Sequence, residues 1–167
     1  PGEGIGSVLR DKNGLWRMWY TTFITRNPDT DLVGCETPMA LAYSNNGVNW
    51  EKPSLRIARD PIYKEHPNIV VHAKMKDKNG RYLSGWGGPA GMCILDNDLT
   101  PHPCARKRFT GLYVDFPIDV IGGICIADSD DGIEWTIWPE SPVIIGPSDT
   151  QNILIYDENI KKYVCYL

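Results

Sequence analysis

The stretch Ser129-Asp130-Asp131-Gly132-Ile133-Glu134-Trp135, with its echo Ser44-Asn45-Asn46-Gly47-Val48-Asn49-Trp50, decides the fold. In each, an apolar strand ends in Ser, a tight polar turn carries Gly, and a Trp comes three residues after that Gly. The strands that feed them also match, Met39-Ala40-Leu41-Ala42-Tyr43 and Gly123-Ile124-Cys125-Ile126-Ala127-Asp128. A turn this tight needs a residue free to take positive φ, and glycine takes it without steric cost. The Trp is then placed to fold back over the hairpin and seal it. The two serines stand 85 residues apart (129 minus 44).

Working outward, a second pair of landmarks shares that offset. Asp11 comes after the strand Ser7-Val8-Leu9-Arg10, and Asp96 after Met92-Cys93-Ile94-Leu95, again 85 residues on (96 minus 11). Two landmarks with one offset indicate an internal repeat. The tetrapeptide Asp-Lys-Asn-Gly occurs at 11–14 and again at 77–80, a competing offset of 66 (77 minus 11). The later Trp turn favours 85, so residues 68–86 read as an outer strand and then an extra hairpin, with Arg81-Tyr82-Leu83-Ser84 as its second strand. A third copy starts at Asn152-Ile153-Leu154-Ile155-Tyr156-Asp157 and continues through Lys161-Lys162-Tyr163-Val164-Cys165-Tyr166. Its Trp turn would fall beyond Leu167. The expectation is a piece of a longer protein, with approximate repeats 1–86, 87–147 and 148–167.

The other strand signals agree. Leu15-Trp16-Arg17-Met18-Trp19-Tyr20-Thr21-Thr22, after an Asn-Gly turn, forms a hairpin with the strand before it. Arg108-Phe109-Thr110-Gly111-Leu112-Tyr113-Val114 is another aromatic and β-branched run, and no stretch keeps a helical apolar period. With 16 Gly and 13 scattered Pro in 167 residues, the composition is that of many short strands and many turns. The formal charge is −4 and no basic stripe occurs, which argues against nucleic acid. Arg106-Lys107-Arg108 reads as a solvated strand end. No apolar window is long enough to span a membrane as a helix. The five Cys are widely spaced without a Cys-x-x-Cys pair, so Cys93, Cys125 and Cys165 read as free thiols in apolar strands. The chain begins at Pro1, so a native N-terminus is expected upstream and the compartment stays open, secreted or periplasmic being compatible.

Repeats of four short antiparallel strands with a turn-sealing Trp are the sequence pattern of β-propeller blades. Ala-Tyr-Ser-Asn-Asn-Gly-Val-Asn-Trp (42–50) and Ala-Asp-Ser-Asp-Asp-Gly-Ile-Glu-Trp (127–135) resemble the turns of five-bladed propeller glycosidases, the invertase/fructosidase-like and arabinanase-like groups. Ser148-Asp149-Thr150-Gln151-Asn152, leading into the strand that ends at Asp157, resembles the innermost strand of such a blade. The sialidase Asp-box has one more residue between Ser and Gly and fits less well. The resemblance implies an all-β, partial five-bladed propeller of antiparallel four-stranded blades. It also implies an oligo- or polysaccharide in a central funnel lined by acids at the starts of the innermost strands, with no cofactor.

Glycoside hydrolysis uses two carboxyl groups flanking the bond, one to protonate the leaving oxygen and one to attack or activate water. By position in the resembling motif, Asp149 is the first candidate, in the role of the stabilising carboxylate. Against this stands a strand-start Asp bonded to backbone amides. Glu3 lies eight residues before Asp11 as Asp149 lies eight before Asp157, and is the second candidate. Trp86, on the glycine-rich loop Ser84-Gly85-Trp86-Gly87-Gly88, is placed either to stack on a sugar face or to cap the extra hairpin. Gln151 and Asn152 are candidate substrate-binding residues. Glu36 and Asp60 spell fragments similar to invertase motifs, Cys-Glu-Thr-Pro and Arg-Asp-Pro, but out of order, and read as coincidence. His66, His72 and His102 are too scattered for a metal triad, and Asp128, Asp130 and Asp131 lack a calcium-loop ligand series. Two functional classes stay open: a glycosidase, and a non-catalytic propeller that binds carbohydrate or protein.

Overall fold

The computed structural model describes residues 3–25, 35–85, 87–115, 122–146, 148 and 152–167, with side chains for all of these but 3–5 and 35. The strands are β1 (Glu3–Arg10), β2 (Trp16–Thr22), β3 (Ile24–Thr25), β4 (Cys35–Glu36), β5 (Met39–Ser44) and β6 (Ile69–Val71). They continue as β7 (Ala90–Asp96), β8 (Phe109–Asp115), β9 (Gly123–Ser129), β10 (Thr136–Ile137), β11 (Ile144–Ile145), β12 (Ile153–Asp157) and β13 (Lys162–Tyr166). A short 3-10 turn at Pro61–Tyr63 is the only helical element among the described residues.

The first sheet has the order β1-β2-β5-β6 and the second β7-β8-β9-β10, with β11 also paired to β9. Both are antiparallel throughout. β12 and β13 form a third, two-stranded sheet, and β3 with β4 a small ribbon. The first strand of each sheet is the central one: β1 packs against β7, and β7 against β12. The chain is thus all-β and propeller-like. Neither β3–β4, β10 nor β11 had a sequence signal; each is only two residues long.

The repeated turns fold alike because their hydrogen bonds are local. Ser44 Oγ accepts from the amides of Asn46 and Gly47, and Asn46 Oδ1 from Val48 and Asn49. In the second sheet Ser129 Oγ accepts from Gly132 N at 2.8 Å, and Asp131 Oδ1 from Ile133 and Glu134. A short side-chain acceptor two or three residues upstream satisfies amides that the ladder cannot reach. Trp135 is buried and donates to Gly132 O at 3.2 Å, sealing its turn. Trp50 instead leaves its turn half-buried and packs with Tyr20, Ala42 and Tyr63.

The offset of 85 relates structural equivalents. Asp11 follows β1 and Asp96 ends β7, each accepting from an amide two residues on. The offset of 66 relates only turns. Asp77 reproduces Asp11 bond for bond, accepting from Asn79 and Arg81 as Asp11 does from Asn13 and Leu15. Yet 81–84 is not the expected strand; it makes one bridge, Lys76 to Tyr82. Leu83 N donates to Met75 O at 2.9 Å beside that bridge, and other bonds of the hairpin go to the second sheet. Asp77 Oδ2 accepts from Ile137 N, Leu83 O from the Tyr113 hydroxyl, and Pro139 O from Arg81. The hairpin therefore covers the outer edge of β10, which would otherwise expose an unpaired amide.

Two seams join the sheets. Between the first and second, Trp19 lies edge-on to Phe109 at 5.2 Å and donates to Gly132 O at 2.8 Å, so one carbonyl accepts two indoles. Gly132 (φ +80°) has no alternative here: a Cβ would sit 2.4 Å from the Trp19 ring. Arg108 bonds Asp96 at 2.9 Å and reaches Asp11 at 3.7 Å, while Arg17 holds Asp11 at 2.7 Å. Ser7 Oγ accepts from Ile94 N at 2.8 Å, stitching β1 to β7. Between the second and third, Cys93 Sγ takes the Leu154 amide at 3.4 Å, and Leu154 packs with Leu112, Val114, Ile124 and Ile126. The strand alternation leaves Ile153, Ile155 and Tyr166 on the outer side of the third sheet, 46%, 36% and 59% exposed.

Candidate functional site at the strand heads

The two ends of the sheets differ in chemistry. At one end lie Asp11, Asp96, Asp157 and the Ser turns. At the other lie the heads of β1, β7 and β12, with the ends of β2 and β8 and the starts of β5 and β9. The first and second sheets meet there through loops. Thr37 N donates to Gly87 O at 2.6 Å, and Thr37 Oγ1 to the same carbonyl at 3.0 Å. Gly88 (φ +93°) lies so close beneath that a Cβ would stand 2.9 Å from Thr37 O. A side chain at 88 would part the two loops, so this glycine permits the junction.

Two buried carboxyl groups flank the junction. Glu36, on β4, is 4% exposed and accepts a hydrogen bond from the Tyr63 hydroxyl. The Tyr63 ring leans on His72 at 5.2 Å. Asp115, the last residue of β8, is 3% exposed, and both its oxygens lie 3.0 Å from Gly85 N. Beside it, Ser84 Oγ is buried with no hydrogen-bond partner among the described residues. Carboxyl groups are seldom fully buried unless paired, hydrogen-bonded or used.

Burial also governs the neighbouring titratable groups. It pushes the Cys125 thiol up to about 12, with the Asp115 carboxylate adding to the effect, so this cysteine is not a nucleophile at neutral pH. It raises Tyr113 well above its ordinary value, with Cys125 and Asp115 contributing. The Tyr113 phenol stays protonated and donates to Leu83 O at 2.6 Å, holding the loop that carries Gly85.

Of the residues singled out from sequence, Asp149, Gln151 and Trp86 lie outside the described residues. Glu3 opens β1, its side chain likewise outside them. Asn152 immediately precedes β12, is 1% exposed, and accepts from the Ser148 hydroxyl at 2.9 Å. Asp60 caps the 3-10 turn, accepting from Ile62 N. Arg106, Lys107 and Arg108 reach three separate carboxylates, Glu140, Asp130 and Asp96. Asp130 pairs with Lys107, Asp131 caps its turn, and Asp128 accepts from Thr110 and Trp138. Among the described residues no group of three His, Cys, Asp or Glu side chains is arranged to hold a metal ion. None of their helices is long and apolar enough to cross a membrane.

Sequence reasoning did not find Asp115, because it ends an otherwise uncharged strand with no motif around it. Glu36 stands in Cys35-Glu36-Thr37-Pro38, a fragment that by its place in the sequence reads as coincidence. What the sequence could not supply was its partner Tyr63, 27 residues away.

No protein-family model matches the sequence, and no curated protein matches it. Solved structures do. A glycosyl hydrolase from Bacteroides ovatus superposes with a TM-score of 0.53 at 13% identity, covering 81% of this chain and 30% of its own. A provisionally assigned glycoside hydrolase from Parabacteroides distasonis gives 0.51 at 14% identity, covering 81% of this chain and 31% of its own. The likeness is one of fold, and this chain spans about a third of the length of either structure.

Proposed function

We propose that this chain is part of a five-bladed propeller, with blades at 1–86, 87–147 and 148–167, that acts on or binds a carbohydrate at the strand heads. The observation that carries the reading is the juxtaposition at that end: three central strands side by side, and two buried carboxyl groups, on β4 and at the end of β8, beside the loops that join neighbouring sheets. The fold shared with two glycoside-hydrolase structures supports it. In this reading Asp149, at the head of β12, steadies the developing positive charge, and Glu3, at the head of β1, is the second inner-strand acid. Trp86 stacks on a sugar face, and Gln151 and Asn152 shape the polar wall. Partly buried acids in one funnel have their protonation equilibria driven apart, as acid–base division requires.

The test is Asp149→Asn in the full-length protein, assayed on an oligosaccharide panel with calorimetric binding in parallel. Hydrolysis by the wild type that falls about 10³-fold in the variant, with glycan binding kept, is the expected result. Binding by the wild type without hydrolysis selects the non-catalytic module instead. Absence of both overturns the carbohydrate reading.

A further inference from the structure

The seam between the second and third sheets contains a polar chain whose proton positions are fixed by geometry. Asn97 is 6% exposed, and its amide nitrogen lies 2.7 Å from Lys107 O and 3.0 Å from Thr110 Oγ1. A backbone carbonyl can only accept, so that atom of Asn97 is the NH2 group and the other is the oxygen. The oxygen faces His102 Nε2 at 3.0 Å, which makes Nε2 the protonated nitrogen. The neutral ring therefore has a bare Nδ1, and Nδ1 is buried with no hydrogen-bond partner among the described residues. Thr110, fully buried, donates its hydroxyl hydrogen bond to Asp128 Oδ1 at 3.0 Å, and Asp128 also accepts from the Trp138 indole.

The other side of the ring belongs to the third sheet. His102 stacks on Tyr156 of β12 at 3.9 Å and 13°, and meets Tyr163 of β13 edge-on at 5.0 Å. The Tyr163 hydroxyl returns to Thr110 at 3.5 Å. His102 is thus hydrogen-bonded to the loop of one sheet and stacked on the other. The titratable groups around it are Tyr156, Tyr163, Cys104 of its own loop and Glu158 in the β12–β13 turn. Asp96 lines the adjoining cavity of about 280 Å³ and is engaged by Arg108, and Asp128 lies further along the chain of bonds.

We propose that His102 is a pH-sensitive clasp that holds β12–β13 on the second sheet in its neutral form and releases it when Nδ1 is protonated. A proton on Nδ1 places a charge on a buried atom with no acceptor, which is costly unless the seam opens to water. Burial holds the imidazole below its ordinary value, with the Glu158 carboxylate opposing. A base whose folded value is lowered binds fewer protons closed than open. The clasp is therefore at full strength above about pH 6.5, the ordinary histidine value, and weakens as pH falls from there toward the folded value.

The experiment is hydrogen–deuterium exchange on the full chain from pH 8 to pH 5, corrected for intrinsic rates. Protection of residues 153–166 is expected to fall up to tenfold per pH unit below about 6.5, while β8 and β9 keep theirs. His102→Gln, which retains a donor toward Asn97, is expected to flatten that profile. Equal pH dependence in the variant, or none in the wild type, overturns the proposal. NMR of the wild-type imidazole decides independently of the variant's folding: an Nδ1–H tautomer, or a titration midpoint above 6.5, overturns it, and the Nε2–H tautomer with a lower midpoint supports it.

Discussion

The turn end and the head end of this molecule are made of similar residues used in opposite ways. At the turn end, Asp11, Asp77, Asp96 and Asp157 each accept from a backbone amide two residues on, and Ser44 and Ser129 from amides up to three residues on. In each Asp, one oxygen is spent on local backbone, and where the other reaches further, from Asp77 to Ile137 N and from Asp11 and Asp96 to Arg108, it ties the turn to the seam between sheets. At the head end the buried acids Glu36 and Asp115 take partners 27 and 30 residues away. Turn acids are therefore part of the scaffold, and the head acids sit where chain segments distant in sequence converge. A polar atom consumed locally specifies a bend; one held by a distant partner marks a place where separate segments meet.

The sharpest test of the turn end is Gly132→Ala. The added Cβ meets the Trp19 ring in a left-handed backbone position, and the shift disturbs a carbonyl that serves two indoles. A loss of about 3 kcal/mol in urea unfolding is expected, from overpacking plus strain. Gly80→Ala is the control, since its Cβ would meet nothing within 4 Å at a comparable φ of +79°; it should lose only about 1 kcal/mol. Equal losses would mean that the Trp19 contact contributes nothing.

Asp96→Ala comes next. It removes a buried carboxylate, 5% exposed, and leaves Arg108 only the longer contacts to Asp98 at 3.6 Å and, across the seam, to Asp11 at 3.7 Å. About 2 kcal/mol should be lost, less than for a fully buried pair because Arg108 is partly solvated. A change below about 0.5 kcal/mol would break the claim that this end is the scaffold.

Acid unfolding should read the same end at smaller amplitude. Burial alone would raise the Asp11 and Asp131 carboxyls. For Asp11 the Arg17 bond and the Leu15 and Asn13 amides outweigh burial, and for Asp131 the Ile133 and Glu134 amides and Ser129 do so. Both therefore end below 3.8. Their contribution is complete above that value and is lost as pH falls through the folded values. Asp128, raised by burial against the bonds of Trp138 and Thr110, has the opposite sign and is relieved by protonation. In Asp11→Asn the urea midpoint should depend less on pH between about 5 and 2 than in the wild type; an unchanged slope would remove Asp11 from the acid transition.

The smallest effect is expected at the head end. Thr37→Val removes an exposed hydroxyl bond to Gly87 O but keeps the backbone bond beside it. Stability should change by less than about 0.5 kcal/mol, while glycan affinity, measured by calorimetry, should weaken if this junction frames the ligand. A large stability loss with affinity kept would reverse the contrast between the two ends.

The turns, the strand run between them and the repeat were legible in the sequence, because each depends on hydrogen bonds and alternation within a few residues. Ser-x-x-Gly-x-x-Trp could be read at 44–50 and 129–135 since Ser, Asn or Asp, and Gly meet their amides locally. The same locality misled at 77–84. That turn repeats Asp11 faithfully, yet the hairpin it begins is docked on β10, and residues 81–84 do not pair as a strand. Tertiary packing alone settled which acids are buried at the head end, which indole leaves its turn, and that one carbonyl at Gly132 serves two sheets. Those outcomes depend on side chains 27 to 113 residues apart meeting in a packed seam, and pattern along the chain carries no record of such meetings.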